Sequence, residues 1–154
     1  MILRDAAPAD LRALIDLWQE AWQVTMPEID FAARRPGFTG KLADMLAEGV
    51  RLRMAETDEA MAAGFYTLDA GGYLDQVAVK RSLWGRGVAS RLIEDAKHLS
   101  GGRLSLTVNQ ANHRAIAFYE REGFQRGEAS VNPVSGLPLW VYRWDSGQTS
   151  GSRP

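Results

Sequence analysis

A single α/β (α+β) domain is what the sequence predicts, and three stretches predict it. Residues 11–22 carry apolar side chains at helical spacing, residues 50–79 alternate like an antiparallel meander, and residues 77–108 read strand, glycine loop, helix, strand. The 154 residues, 45% hydrophobic and 24% charged, supply apolar material for one sizeable core and not for a second domain. A formal charge of −1 gives no global attraction to nucleic acid or an acidic membrane. The absence of cysteine excludes disulfides, thiolate metal sites and a cysteinyl intermediate. No apolar run approaches the ~20 residues that span a bilayer. The N-terminus enters a polar helical pattern at once, so a cytoplasmic protein is expected, with no nucleic-acid, membrane or metal partner.

In chain order, residues 1–4 suit a first strand, and Pro8 sits where a helix opens. Leu11, Leu14, Ile15, Leu17, Trp18, Ala21 and Trp22 share one helical face, with Arg12, Asp16, Gln19 and Glu20 opposite. Both tryptophans are expected to pack in the core. Pro27, Pro36 and Gly37 predict an irregular connection over residues 25–40, with Asp30 capping a short turn. A second helix is expected over residues 39–48, stopped by Gly49. Residues 50–56, 61–68 and 73–79 follow as the strands of the meander. Val88, Ala89, Leu92, Ile93, Ala96 and Leu99 form the apolar face of the next helix. Gly101 and Gly102 end it, and β-branched Thr107 and Val108 mark a strand over residues 104–108. This strand–helix–strand order predicts a parallel crossover. A helix from about Asn112 to Glu122 and a closing hairpin over residues 124–144 complete the domain, assigned to residues 1–144. The polar tail, residues 145–154, is expected to be mobile.

Two stretches carry chemistry. In the first, Gly85, Arg86, Gly87, Val88, Ala89 and Ser90 link a strand to a helix. Glycine lets the backbone turn tightly beside a ligand, and the first helical N–H groups lack internal acceptors at the positive end of the dipole. Lys80, Arg81, Arg86 and Arg91 add cations with no acidic side chain among them, so the stretch reads as a polyphosphate site. It matches neither G-x-G-x-x-G, since Ser90 holds the third position, nor a P-loop. In the second stretch, Asn112 and Tyr119 stand seven residues apart, about 20° around a helix, so amide and phenol line one face.

Together these stretches resemble the GNAT (GCN5-related N-acetyltransferase) superfamily. Residues 84–89 look like its motif A, Q/R-x-x-G-x-G/A, and Asn112, Ala115, Phe118, Tyr119, Glu120, Gly123 and Phe124 look like its motif B, N-x-x-A-x-x-F/L-Y-E-x-x-G-F. The resemblance covers residues 1–144 and implies a mixed central sheet with splayed strands and helices on both faces. Trp84 departs from motif A, and an indole does not supply the polar contact of Gln or Arg. The implied donor is acetyl-coenzyme A, with its pyrophosphate on the amides of residues 86–90. Its pantetheine arm would pair with backbone near Val77 and Val79 and touch Asn112. The resemblance makes Tyr119 general acid toward the departing thiolate and Asp75 the preferred base, with Glu56 as an alternative. His98 and His113 face solvent by helical phase.

The expected activity is therefore direct acetyl transfer to a primary amine on a small molecule or peptide. A noncatalytic acyl-coenzyme A sensing domain is the alternative, because it would keep the cradle without needing Tyr119. A Rossmann-type nucleotide enzyme is a weaker third reading. Residues 27–38, Trp22 and residues 136–138 are expected to shape the acceptor pocket. A symmetric homodimer is the base-rate expectation for assembly.

Overall fold

The computed structural model describes residues 1–147. It contains β1 (Ile2–Asp5), α1 (Leu11–Thr25), α2 (Phe31–Ala47), β2 (Arg51–Glu56), β3 (Ala62–Leu68), β4 (Val77–Val79), α3 (Val88–Leu99), β5 (Arg103–Asn109), α4 (His113–Arg121), β6 (Gln125–Val131) and β7 (Pro138–Asp145). Among these residues the strands form two antiparallel sheets, ordered β1-β2-β3-β4 and β5-β7-β6. The crossover through α3 brings β4 and β5 alongside in parallel, but hydrogen bonding joins them only at the base. There Leu74 N–H donates to the Ser105 carbonyl at 2.8 Å, and Ser105 N–H donates to that of Gly72 at 2.9 Å. Gly72 has φ +86°, and a Cβ there would collide with the Arg103 carbonyl oxygen, so this close approach requires glycine.

Helices cover both faces of the sheets. On one, Leu14, Trp18, Phe31, Phe38 and Leu42 of α1 and α2 pack on Leu52, Met54, Phe65 and Ala78. On the other, Val88, Leu92, Ile93 and Ala96 of α3 and Tyr119 of α4 pack on Tyr66, Leu104, Leu106, Val108 and Tyr142. β3 serves both, and every residue in it after Ala62 is buried. Trp18 stacks on Phe38 with centroids 3.9 Å apart, as expected of a core side chain. No helix among the described residues is long and apolar enough to cross a membrane.

Three expectations need correction. The irregular connection and short second helix are one continuous helix, α2, which begins at Phe31 under an Asp30 cap to Ala33 N–H and runs through Pro36. An interior proline costs about 3 kcal/mol. Phe31 and Phe38 lie seven residues apart on one face against Trp18, and burying two such rings, at about 1.5–3 kcal/mol each, offsets that cost. The strand expected over residues 73–79 is laddered to β3 only at Val77–Val79, because residues 72–74 bond to Ser105 of the other sheet instead. Of the tail expected to be mobile from residue 145, Asp145 pairs with Arg103 and Ser146 N–H donates to the Gly102 carbonyl. Residues 148–154 lie outside the described residues.

A charged network ties α3 to the first sheet. Arg53 donates to both carboxylate oxygens of Asp95 at 2.9 Å, and the Tyr66 hydroxyl donates to the same carboxylate at 2.6 Å. Burial opposes ionisation of Asp95, but hydrogen bonds from Arg53 and Tyr66 outweigh it and hold the carboxyl below its usual range. Burial, then the bond to Asp95, pushes the Tyr66 phenol up. Asp95→Ala leaves Arg53 only the exposed Asp5, at 3.4 Å, and takes the acceptor from the Tyr66 hydroxyl, and it should destabilise the fold by about 3 kcal/mol in urea titrations. Because the folded pKa is depressed, the stabilisation is present above the unfolded value of 3.8 and disappears as pH falls through the folded value. Between about pH 4.5 and pH 2.5, the urea midpoint of Asp95→Asn should therefore move less than that of the wild type.

Candidate active site

The glycine loop enters α3 in the left-handed region, with φ +78° at Gly85 and +82° at Gly87. A Cβ on either would meet nothing within 4 Å, so conformation and not crowding calls for glycine. Gly87 is the N-cap, and the first helical bond runs from Arg91 N–H to the Gly87 carbonyl. The N–H groups of Val88, Ala89 and Ser90 are therefore left without helical acceptors at the positive end of α3. The Ser90 hydroxyl turns away and donates to Glu122 Oε2 at 2.9 Å, so toward a ligand Ser90 offers its backbone. Trp84 Nε1 donates to the Val79 carbonyl at 2.9 Å, which pins the loop to the end of β4. The Trp84 ring also holds the guanidinium carbons of Arg81 and Arg114 at 4.5 and 4.6 Å.

The free edge of β4 continues the same site. Lys80 N–H bonds to Ala63 and the Gln76 carbonyl accepts from Thr67, so residues 76, 78 and 80 face β3. Strand alternation turns the backbone groups of Val77 and Val79 toward the gap in front of β5. One cavity of about 470 Å³ runs along Val77, Val79, Trp84, Gly85, Gly87, Val88, Ala89, Ser90, Asn112 and Tyr119. It thus unites the predicted donor residues with the predicted acid. Arg86 lies in the same loop, exposed, just outside the lining. Asn112 Oδ1 caps α4 by accepting from Ala115 N–H at 3.2 Å, and its amide nitrogen is left for the cavity. The Tyr119 ring packs edge-on against Phe118 and Phe124 and lines the cavity, and no side chain among the described residues hydrogen-bonds its hydroxyl. Burial pushes that phenol up, so it stays protonated at neutral pH.

Charge is distributed unevenly around this cavity. Arg4, Arg35, Lys41, Arg51, Arg53, Arg126 and Arg143 each pair with a carboxylate. Among the described residues no carboxylate ion pair is formed by Lys80, Arg81, Arg86, Arg114 or Arg121, at or near its mouth, nor by Arg12, Arg34, Arg91 and Lys97 elsewhere. An anionic ligand would meet cations that nothing in the protein neutralises. Among the described residues no cluster of three His, Cys, Asp or Glu side chains is placed to hold a metal. A second groove of about 400 Å³, along Asp16, Glu20 and Arg35, joins none of these features.

Asp75 stands apart from the cavity. It pairs with Lys41 Nζ at 2.9 Å and accepts from Gln76 Nε2 at 3.0 Å. Glu56 is taken by Arg4 at 3.0 Å, and His98 and His113 are exposed. Trp22, expected to help shape the acceptor pocket, stacks on Phe31 and lines this cavity, while Thr25 of α1 and Arg114 and Arg121 of α4 line it without having been singled out from sequence. The position of Arg114, two residues after Asn112 in the second motif, was the available signal.

A sequence model of the acetyltransferase (GNAT) family matches residues 11–124. The chain belongs to this family. It is 30% identical over 122 residues to the peptidyl-lysine N-acetyltransferase YjaB of Salmonella typhimurium, covering 79% of this chain and 81% of that one. Its identity with the peptidyl-lysine N-acetyltransferase YiaC of Escherichia coli is 26% over 148 residues, 96% of this chain and 99% of that one. Its fold is that of the PaiA N-acetyltransferase of Thermoplasma acidophilum, solved with coenzyme A, at TM-score 0.76, 15% identity and coverage of 94% and 98%. Apo YjaB of Escherichia coli gives a TM-score of 0.74 at 22% identity with the same coverages. The protein is thus a GNAT acetyltransferase, and the departure of Trp84 from motif A lies within the family fold. Gly87→Ala in this acetyltransferase should cost about 1–2 kcal/mol through left-handed backbone strain, read as a lower urea midpoint.

Proposed function

We propose that the enzyme transfers the acetyl group of acetyl-coenzyme A directly to a primary amine, with a lysine side chain of a peptide or protein as acceptor. One observation carries this reading: the unpaired β4 edge, the amide end of α3 and an unpartnered Tyr119 hydroxyl open on one cavity. Backbone donors and unneutralised cations suit the pyrophosphate, and Val77 and the Val79 N–H offer backbone to an amide-bearing arm, the Val79 carbonyl being taken by Trp84 Nε1. The coenzyme A bound to PaiA supports the donor, and the names of YjaB and YiaC support the acceptor. A reaction drawing on this donor belongs in the cytoplasm.

In this reading the amine nitrogen bonds to the thioester carbonyl carbon, the carbon–sulfur bond breaks, and the negative charge develops on sulfur. Tyr119, whose phenol is protonated at neutral pH and is raised further by burial, donates a hydrogen bond or its proton to that sulfur. Asp75 is the candidate base; it lies toward α2, and Lys41 must yield its carboxylate for it to take the amine proton.

Thiol release from acetyl-coenzyme A with lysine-containing peptides tests the reading. Tyr119→Phe should lower kcat about 10- to 100-fold while leaving calorimetric affinity for coenzyme A unchanged. Coenzyme A binding with no turnover of any amine would favour the acyl-coenzyme A sensor. Asp75→Asn should lower kcat about tenfold or more, while Lys41→Ala should not. Equal losses in the two variants would make the ion pair structural.

A further inference from the structure

The cavity at the gap between β4 and β5 is lined by α3, α4 and also by Ala21, Trp22 and Thr25 of α1; the β5 side chains that face α1 and α2 are polar. Leu104, Leu106 and Val108 point into the core beneath α3 and α4, so alternation turns Ser105, Thr107 and Asn109 toward α1 and α2. On that side the Tyr73 hydroxyl meets Thr107 Oγ1 at 3.4 Å, and Lys41 of α2 meets Asp75. Asn109, the last residue of β5, ends the row beside Met26, the C-cap residue of α1. Its amide nitrogen donates only to the Met26 sulfur, a weak acceptor, at 3.3 Å. Its carbonyl oxygen, Oδ1, is buried with no hydrogen-bond partner, the one such side-chain atom among the described residues.

A buried carbonyl without a donor lowers stability relative to an apolar side chain of similar size, so folding alone does not explain this asparagine. The group it lacks is a hydrogen-bond donor, which the N–H of an amine can supply. The covering Met26 side chain is unbranched and flexible and carries no strong hydrogen bond, so it is readily displaced. With Tyr119 on the α4 side of the gap, an amine attacking a thioester held there would arrive from the side that Asn109 faces. We propose that Asn109 Oδ1 orients the acceptor: it takes a hydrogen bond from an N–H of the incoming amine once Met26 moves aside. This deepens the acetyl-transfer reading above and rests on it.

Steady-state kinetics of Asn109→Leu and Asn109→Asp, with a lysine-containing peptide and acetyl-coenzyme A varied separately, test this. Asn109→Leu should lower kcat/KM for the peptide about tenfold. Its KM for acetyl-coenzyme A should not change, and its Tm should equal or exceed that of the wild type. Asn109→Asp, which keeps an acceptor oxygen, should retain most of the peptide kcat/KM. Unaltered peptide kinetics in Asn109→Leu would overturn the assignment. So would a lowered Tm with parallel losses for both substrates, because that is the pattern of a structural residue. If the wild type neither binds acetyl-coenzyme A in calorimetry nor turns over the peptide, the acetyl-transfer reading fails and this inference with it. Wild-type turnover with a normal Asn109→Leu removes the inference alone.

Discussion

Gly72 and Leu74 bond to Ser105 at the base of two strands that then part, and the rest of the molecule is arranged around that parting. An unpaired strand edge inside a protein leaves backbone donors and acceptors unsatisfied. Here the edge belongs to β4, whose other side is laddered to β3, so it stays extended without a second neighbour. Residues 72–76 cannot serve both sheets, and the gap opens where the chain transfers from Ser105 to Thr67. An extended ligand with its own amides can complete that edge as a strand would, and the α3 N-terminus lies at one end of the same cavity.

The two faces of the gap differ in chemistry because different helices cover them. On the α3/α4 side the surroundings are apolar packing, backbone amides and a rim of unneutralised cations. Trp84 belongs to this side in a role that its residue type conceals. Its N–H fastens the loop to Val79, and its ring gathers two guanidinium groups near the mouth. The α1/α2 side carries the half-buried polar row that ends at Asn109. Two pairs of helices that bury different sets of side chains thus give one gap a side rich in backbone donors and cations and a side that carries a polar row.

α3 is held on two sides. The Arg53–Asp95–Tyr66 network holds the middle of α3 against the first sheet, and the Ser90–Glu122 and Lys97–Glu122 bonds hold α3 to the end of α4. Left-handed Gly85 and Gly87 and the orphan oxygen of Asn109 lie at the candidate site, where a preorganised arrangement rests on that support.

Much of this was legible in the residues themselves. The apolar faces of α1 and α3, the meander and the closing hairpin follow from spacing, because burial on one side of a helix or strand imposes a period that a sequence displays. The glycine loop and the Asn112–Tyr119 face were legible for a similar reason, since each is built from neighbours in the chain. What spacing could not show was decided by contacts distant in sequence. Pro36 remains inside a helix because Trp18, on another helix, takes up Phe31 and Phe38. Tyr73 and Leu74 leave the first sheet because Ser105 competes for that segment, and Asp75 is tied to Lys41 on a helix far earlier in the chain. The sequence by itself determined the elements and the local cradle, through periodicity and backbone propensity. Only the tertiary structure decided that the cradle, the β4 edge and Tyr119 share one cavity, because that depends on where two sheets touch and where they separate.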